Sequence, residues 1–334
     1  MRLWRLLFCF VILLSGCSRP ELSRTDFMLS TICTITLYEH GKPRVYQKIF
    51  DRLREIDNLM SVYLDGSDVD LINKAAGKNN IEVHPEVFEV IEQAYKYAEK
   101  SDGAFDPTVR PLVGLWNIGG DNERVPSQAE IDTVLPLINW RDIELDREKH
   151  SVFLKRPGMA LDLGAIAKGY AADEVAAIIK EAGIPRAIID LGGNIVLVGE
   201  KKDKSPWKVG IQNPLESRGN YIGIVQTKET SVVTSGVYER FFVDNGKRYH
   251  HIFSPKGGYP VSNGFLSVTI ITGVSAIADA LSTAVFVMGY EKGADLLESI
   301  EGVEAIFVFE NMEIRLTSGV NFTLSDNDYR ILRN

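Results

Sequence analysis

Cysteine, positive charge and long apolar runs are what this sequence has least of, and each shortage excludes something. Its 334 residues hold three cysteines, at positions 9, 17 and 33, with no pair at the spacing of a tetrahedral zinc site and no set able to form a disulfide framework. Stability must therefore come from a packed core. Lys and Arg total 37 against 45 Asp and Glu, a net charge of −8 with no basic stripe to offset it, which removes nucleic acid as a partner. Beyond residue 14 no apolar run approaches the roughly 20 residues needed to cross a bilayer as a helix. Internal repeats and low-complexity segments are also missing. What remains is an ordinary globular composition, 45% hydrophobic, in a chain long enough for one large domain or two modest ones.

The first 17 residues read as a processing signal. Arg2 and Arg5 form a charged start, Leu6 to Leu14 a short apolar stretch, and Leu14-Ser15-Gly16-Cys17 resembles a bacterial lipobox, whose cysteine is acylated after cleavage. Residues 1–17 are thus expected to be a lipoprotein signal, residues 18–25 a polar tether and residues 26–334 the working domain. The acyl chains on Cys17 would hold the protein at the cell (inner) membrane, on its exported side.

Thr31 to Tyr38 alternates as a strand. Ile49, Leu53, Ile56, Met60 and Tyr63 mark one helix face, and Val87, Val90, Ala94 and Tyr97 another. Residues 117–128 read as a surface excursion. Further helices are predicted over 166–182, 275–289 and 291–300, and strands over 187–191, 195–198, 207–212, 221–227, 240–243, 266–272 and, last, 304–309. Runs of strands with helices bunched between them fit an α+β domain of mixed and antiparallel sheets rather than a βαβ alternation.

Four segments carry chemistry. In Asp279-Ala280-Leu281-Ser282-Thr283 a carboxylate and a hydroxyl stand one helical turn apart on an otherwise apolar helix, a pairing that by itself reads first as a dipole-favoured Asp with a Thr bonded to the preceding turn and second as a seat for Mg²⁺. Asp162-Leu163-Gly164-Ala165-Ile166-Ala167-Lys168 leads an acid and a glycine into a helix start, either a phosphate cradle or a plain capped turn. Ser101 to Pro107 is a turn whose Asp106, extended by Pro107, is positioned to reach a cleft and accept from a base or ribose. The fourth comprises Thr234-Ser235-Gly236 and His250 to Pro255. A Ser235–His251–Asp190 triad lacks the nucleophile elbow, and Asp190-Leu191-Gly192-Gly193-Asn194 lacks the dinucleotide glycine spacing. The adjacent His250 and His251 point to opposite faces of an extended chain and make a poor zinc pair.

Taken in order, these segments resemble the ApbE family of FAD:protein FMN transferases over nearly the whole chain from about Phe27. Met28-Leu29-Ser30-Thr31, Ser61-Val62-Tyr63, Gly103 to Asp106, Pro111-Leu112-Val113 with Leu115-Trp116, Asp162 to Asp173, Asp190 to Asn194, Thr234 to Gly236, His251 to Pro255 and Asp279 to Thr283 carry the likeness. Leu29 stands where glycine is usual and Ser254 where aspartate is usual. The resemblance implies a single T-fold-related domain with an FAD site. Met28 and Tyr63 would pack against FAD, Ala104, Phe105 and Asp106 would line its adenine and ribose side, Asp162 would accept from the flavin nucleotide, Lys168 would lie near phosphate, and Phe253 would hold an aliphatic contact position. It also implies Mg²⁺ at Ala165, Asp279 and Thr283, with Ser282 where some members add a carboxylate. His251 would be the general base that activates a Ser or Thr hydroxyl of an acceptor, a flavoprotein subunit of a membrane redox complex, with AMP expelled. An Mg²⁺-dependent FAD pyrophosphatase and a non-catalytic FAD-binding lipoprotein are the alternatives.

Overall fold

The computed structural model describes residues 23–39 and 42–332, so the signal, Cys17 and residues 18–22 of the tether lie outside the described residues. The last tether residues, from Ser23 on, belong instead to the first strand, Ser23–Met28.

A nine-stranded sheet forms the spine, and its strands lie side by side in chain order: Ser23–Met28, Thr31–Tyr38, Arg186–Leu191, Asn194–Val198, Thr230–Gly236, Phe265–Thr272, Glu304–Phe309, Glu313–Leu316 and Arg330–Leu332. Each neighbouring pair is antiparallel except the last. The Thr31–Tyr38 strand alternates as its sequence predicts, with Cys33, Ile35 and Leu37 wholly buried. Phe265–Thr272 is buried at every position because both faces of the sheet centre are covered. The Ser275–Met288 helix packs there, and a second sheet of Trp207–Gln212, Tyr221–Thr227 and Phe322–Leu324 adds Trp207, Val209 and Val225 to the same apolar cluster. Together these make one α+β domain, the class expected.

Between the second and third strands the chain makes a long helical detour. Its first helix, Pro43–Met60, starts on a proline whose missing N–H costs nothing there, and it buries Ile49, Leu53, Ile56 and Met60. It stops at Met60, so Tyr63 falls beyond the face the periodicity assigned it and is exposed. Pro85–Lys100 and Ala167–Glu181 also form as predicted. The short helices Asp68–Ala75, Arg110–Trp116 and Gln128–Val134 were not apparent from periodicity. Two of them carried another signal: Ser67 accepts from the Asp70 N–H at 3.0 Å, and Ser127 with Glu130 forms a complete capping box.

The Ala167–Glu181 and Ser275–Met288 helices cross at close range. A Cβ on Gly169 would sit 2.4 Å from the Ser275 carbonyl oxygen, so only glycine fits. Each helix then supplies a carboxylate to the other: Asp173 accepts from the Ser275 and Ala276 N–H groups, both at 2.9 Å, and Asp279 accepts from Gly169 N–H at 3.0 Å. The Ser275–Met288 helix has no cap of its own, and Asp173 fills that need. Among the described residues no helix is long and apolar enough to cross a membrane.

Candidate active site

The helix crossing forms one wall of a cavity of about 510 Å³. The first hairpin's turn, the residues after Met60, the 104–109 loop, the Thr230–Gly236 strand and the segment from His251 to Pro255 close the rest. Tyr63, Ala104, Asp106 and Asp162 line it, as do Ala165 and Lys168, and His251, Phe253, Asp279 and Thr283. Met28 and Phe105 do not: both side chains are buried in the apolar core, while Phe27, Leu29 and Ala104 beside them reach the cavity. Ser282 is also withdrawn. Wholly buried, it donates to the Asp279 carbonyl at 2.8 Å and bonds Ser235 Oγ at 2.8 Å, so its position supports the helix and strand rather than the cavity surface.

Asp279 is 4% exposed, and burial raises its carboxyl above the usual range while the Lys168 ammonium, 3.7 Å away, pulls it back. Thr283 lies one turn on, its hydroxyl 3.4 Å from Ser235 Oγ. No group of three or more His, Cys, Asp or Glu side chains able to hold a metal occurs among the described residues. The Asp279 carboxylate and the Thr283 hydroxyl, with the Ala165 segment on the same cavity, would suit Mg²⁺ if substrate phosphates completed the shell.

Asp162 accepts from Gly164 N–H at 2.9 Å and lies 3.7 Å from the Arg110 guanidinium, which also sits 4.8 Å over the Tyr63 ring. Asp106 departs from the expectation of a carboxylate projecting freely to a base or ribose. It accepts from the Thr108 N–H and hydroxyl, at 2.8 and 2.6 Å, and from Trp140 N–H at 3.1 Å, so most of its acceptor capacity fixes its own loop. Phe253 packs its ring 5.7 Å from that of Trp116 and presents the remainder to the cavity.

The two histidines face apart as their adjacency predicts. His250 is buried, with Nε2 donating to the Val261 carbonyl at 2.8 Å and Nδ1 accepting from Ile252 N–H at 3.2 Å. His251 lines the cavity, and its Nδ1 donates to the Arg240 carbonyl at 3.1 Å, which leaves Nε2 as the unprotonated nitrogen. Burial, helped by the Arg240 charge, pushes the imidazole down to about 3, so it is neutral at physiological pH. No triad forms: Ser235 Oγ is bonded to Ser282 and Thr283, and Asp190 accepts from Gly193 N–H.

Sequence reasoning overlooked Arg240. Its carbonyl orients His251, and its guanidinium donates to the Ser30 carbonyl at 2.9 Å across the cavity mouth. Ser30 and Leu29 both adopt left-handed backbone, φ 56° and 51°, and Leu29 N–H donates to Asp57 at 3.1 Å. No motif announces these contacts, because they join segments far apart in the chain.

Comparison with known proteins identifies the family. The model of the ApbE family matches residues 29–307. The FAD:protein FMN transferase of Klebsiella pneumoniae (strain 342) is 38% identical, the match covering 93% of this chain and 96% of the relative. That of Treponema pallidum (strain Nichols) is 35% identical over 95% and 94%. Among solved structures, the ApbE protein of Thermotoga maritima superimposes with a TM-score of 0.82 at 34% identity, covering 89% of this chain and 96% of its own.

Proposed function

Because this chain belongs to the ApbE family of flavin transferases, we propose that it moves the FMN half of FAD onto a Ser or Thr hydroxyl of another protein and releases AMP. The observation that carries this reading is the neutral His251, held through Nδ1 by Arg240, on the same cavity as Lys168, Asp279 and Thr283. The acceptor oxygen attacks the FMN phosphorus as the bond from that phosphorus to the AMP oxygen breaks. The hydroxyl proton passes to His251 Nε2, and the bonding electrons leave with AMP. General-base assistance is worth roughly 10²–10⁴-fold, and a base held well below the working pH, as His251 is, falls at the low end of that range. Asp279 and Thr283, with Ala165, would hold Mg²⁺, which supplies neutralisation of the diphosphate and of the charge developing on the leaving group. The Arg240 carbonyl keeps the proton on Nδ1, and Asp162 and Tyr63 bound the end of the cavity assigned to the flavin nucleotide.

Incubation with FAD, Mg²⁺ and a flavin-accepting subunit of a membrane redox complex tests the reading. AMP together with an acceptor heavier by FMN is expected. AMP with free FMN would instead indicate a pyrophosphatase, and unchanged FAD a binding protein.

We also propose that Cys17 is lipidated and that its acyl chains attach the protein to the inner membrane, a reading supported by the lipobox-like residues before it. Cys17→Ser is expected to move the protein from the membrane to the soluble fraction. Undiminished sedimentation of the variant with membranes would sink the idea.

A further inference from the structure

Lys168 stands where a cation is wanted. Its ammonium donates to the Gly164 carbonyl at 2.7 Å and lies 3.7 Å from Asp279 Oδ1, with the lysine side chain 28% exposed and that of Asp279 only 5%. Gly164, Ala165, Lys168, Asp279 and Thr283 border one stretch of the cavity. The ammonium therefore does for the buried carboxylate what a hard cation would do: it supplies positive charge among oxygen donors. Its backbone is fixed, because Lys168 precedes the glycine locked against Ser275, but its four-carbon stem is free to swing. From the flavin-transfer reading we infer that Lys168 and the divalent cation exchange on Asp279: the ammonium holds the carboxylate until metal enters, then turns to the substrate diphosphate.

Coupling between the two ligands follows from this exchange. Metal arriving alone must displace an ammonium into a cavity where Asp162 already lies 3.7 Å from Arg110 and Glu239 3.8 Å from Arg218. Metal arriving with FAD gives the displaced ammonium a phosphate partner. Each ligand should thus strengthen the other by the same factor.

Calorimetric titration of Mg²⁺ into the FAD-free full-length protein reads the exchange without turnover. Lys168→Met is expected to bind Mg²⁺ on the order of tenfold more tightly than the parent, because the internal competitor is gone. The same variant should lose most of the tightening of FAD by Mg²⁺, measured by flavin fluorescence. Lys168→Arg keeps the charge and should bind Mg²⁺ no more tightly than the parent, which gives a second variant if the methionine protein folds poorly. Equal or weaker Mg²⁺ binding by Lys168→Met, or tighter binding by Lys168→Arg, overturns the exchange. If neither parent nor variant takes up Mg²⁺, the exchange and the Asp279 assignment fail together, while AMP release from FAD judges the flavin-transfer reading separately.

Discussion

Asp173 and Asp279 face each other across the same helix crossing and perform the same service with different remainders. Asp173 accepts two backbone N–H groups, one on each oxygen, and lies outside the cavity wall. Asp279 accepts one N–H, from Gly169, and turns its other oxygen to Lys168 and the cavity. Burial raises both carboxyls. One carboxylate is occupied by the fold, while the other keeps capacity in reserve. The neighbouring histidines repeat the contrast, with both His250 nitrogens bonded to the main chain and only one of His251 so used. Reserve hydrogen-bonding capacity, rather than the residue type, separates the groups proposed to act from those that only support the fold.

Substitution sharpens the difference, beginning with the largest effect. Asp279→Ala should slow AMP release from FAD by roughly 10³-fold, because only neutral oxygens remain for the metal, and raising Mg²⁺ should restore it in part at most. A variant that cleaves FAD at the parental rate in low Mg²⁺ would place the metal elsewhere. His251→Asn should slow flavin transfer by roughly 10²-fold with FAD affinity unchanged, since a base acts on the transition state. Parental transfer rates in that variant would remove His251 from the mechanism.

Asp173→Ala should do the reverse and cost about 2 kcal/mol of unfolding free energy, through two orphaned N–H groups at a helix start, with little change in the rate of the folded fraction. Chemical denaturation measures it, and a loss of rate without a loss of stability would erase the distinction drawn here. The smallest effect is on pH dependence. The folded protein holds His251 neutral down to about 3, against an ordinary 6.5, so the unfolded chain binds a proton in that window that the native state refuses. The stability this group contributes is complete above pH 6.5 and is lost as pH falls toward 3. The parent's melting temperature should therefore drop more steeply between pH 7 and 5 than that of His251→Asn; parallel slopes would contradict the shift.

Much of the frame was legible because apolar periodicity reports on long, one-sided elements. The Thr31–Tyr38 strand and the Ala167–Glu181 and Ser275–Met288 helices are cases in point. Thr230–Gly236 was not recognised as a strand, although it lies in the middle of the sheet. Its Ser231 is buried, while Thr234 and Ser235 face the cavity, so the site's polarity conceals the strand pattern. Glu313–Leu316, Phe322–Leu324 and Arg330–Leu332, beyond the last expected strand, are too short for alternation to register. In the site, motif order identified the residues of the cavity but not which way they turn. Met28, Phe105 and Ser282 occupy motif positions and point into packed surroundings. The reciprocal carboxylates and the Arg240 contacts depend on distances between remote segments, which no single stretch of sequence encodes.

The long detour between the second and third strands also sets a schedule. The first hairpin is local, but Tyr38 must wait for Arg186 before its strand gains a second neighbour, and a late, distant pairing is slow to form. Cys33 rides on that waiting strand, opposite Leu191. Once the sheet closes, its thiol is fully buried and pushed up to about 12, inert toward oxidants. Before closure it is an accessible thiol, open to oxidants and alkylating reagents. The interval between synthesis of residue 38 and docking of residue 186 is thus a period of chemical vulnerability, and a pulse of alkylating reagent during refolding would time the closing of the sheet.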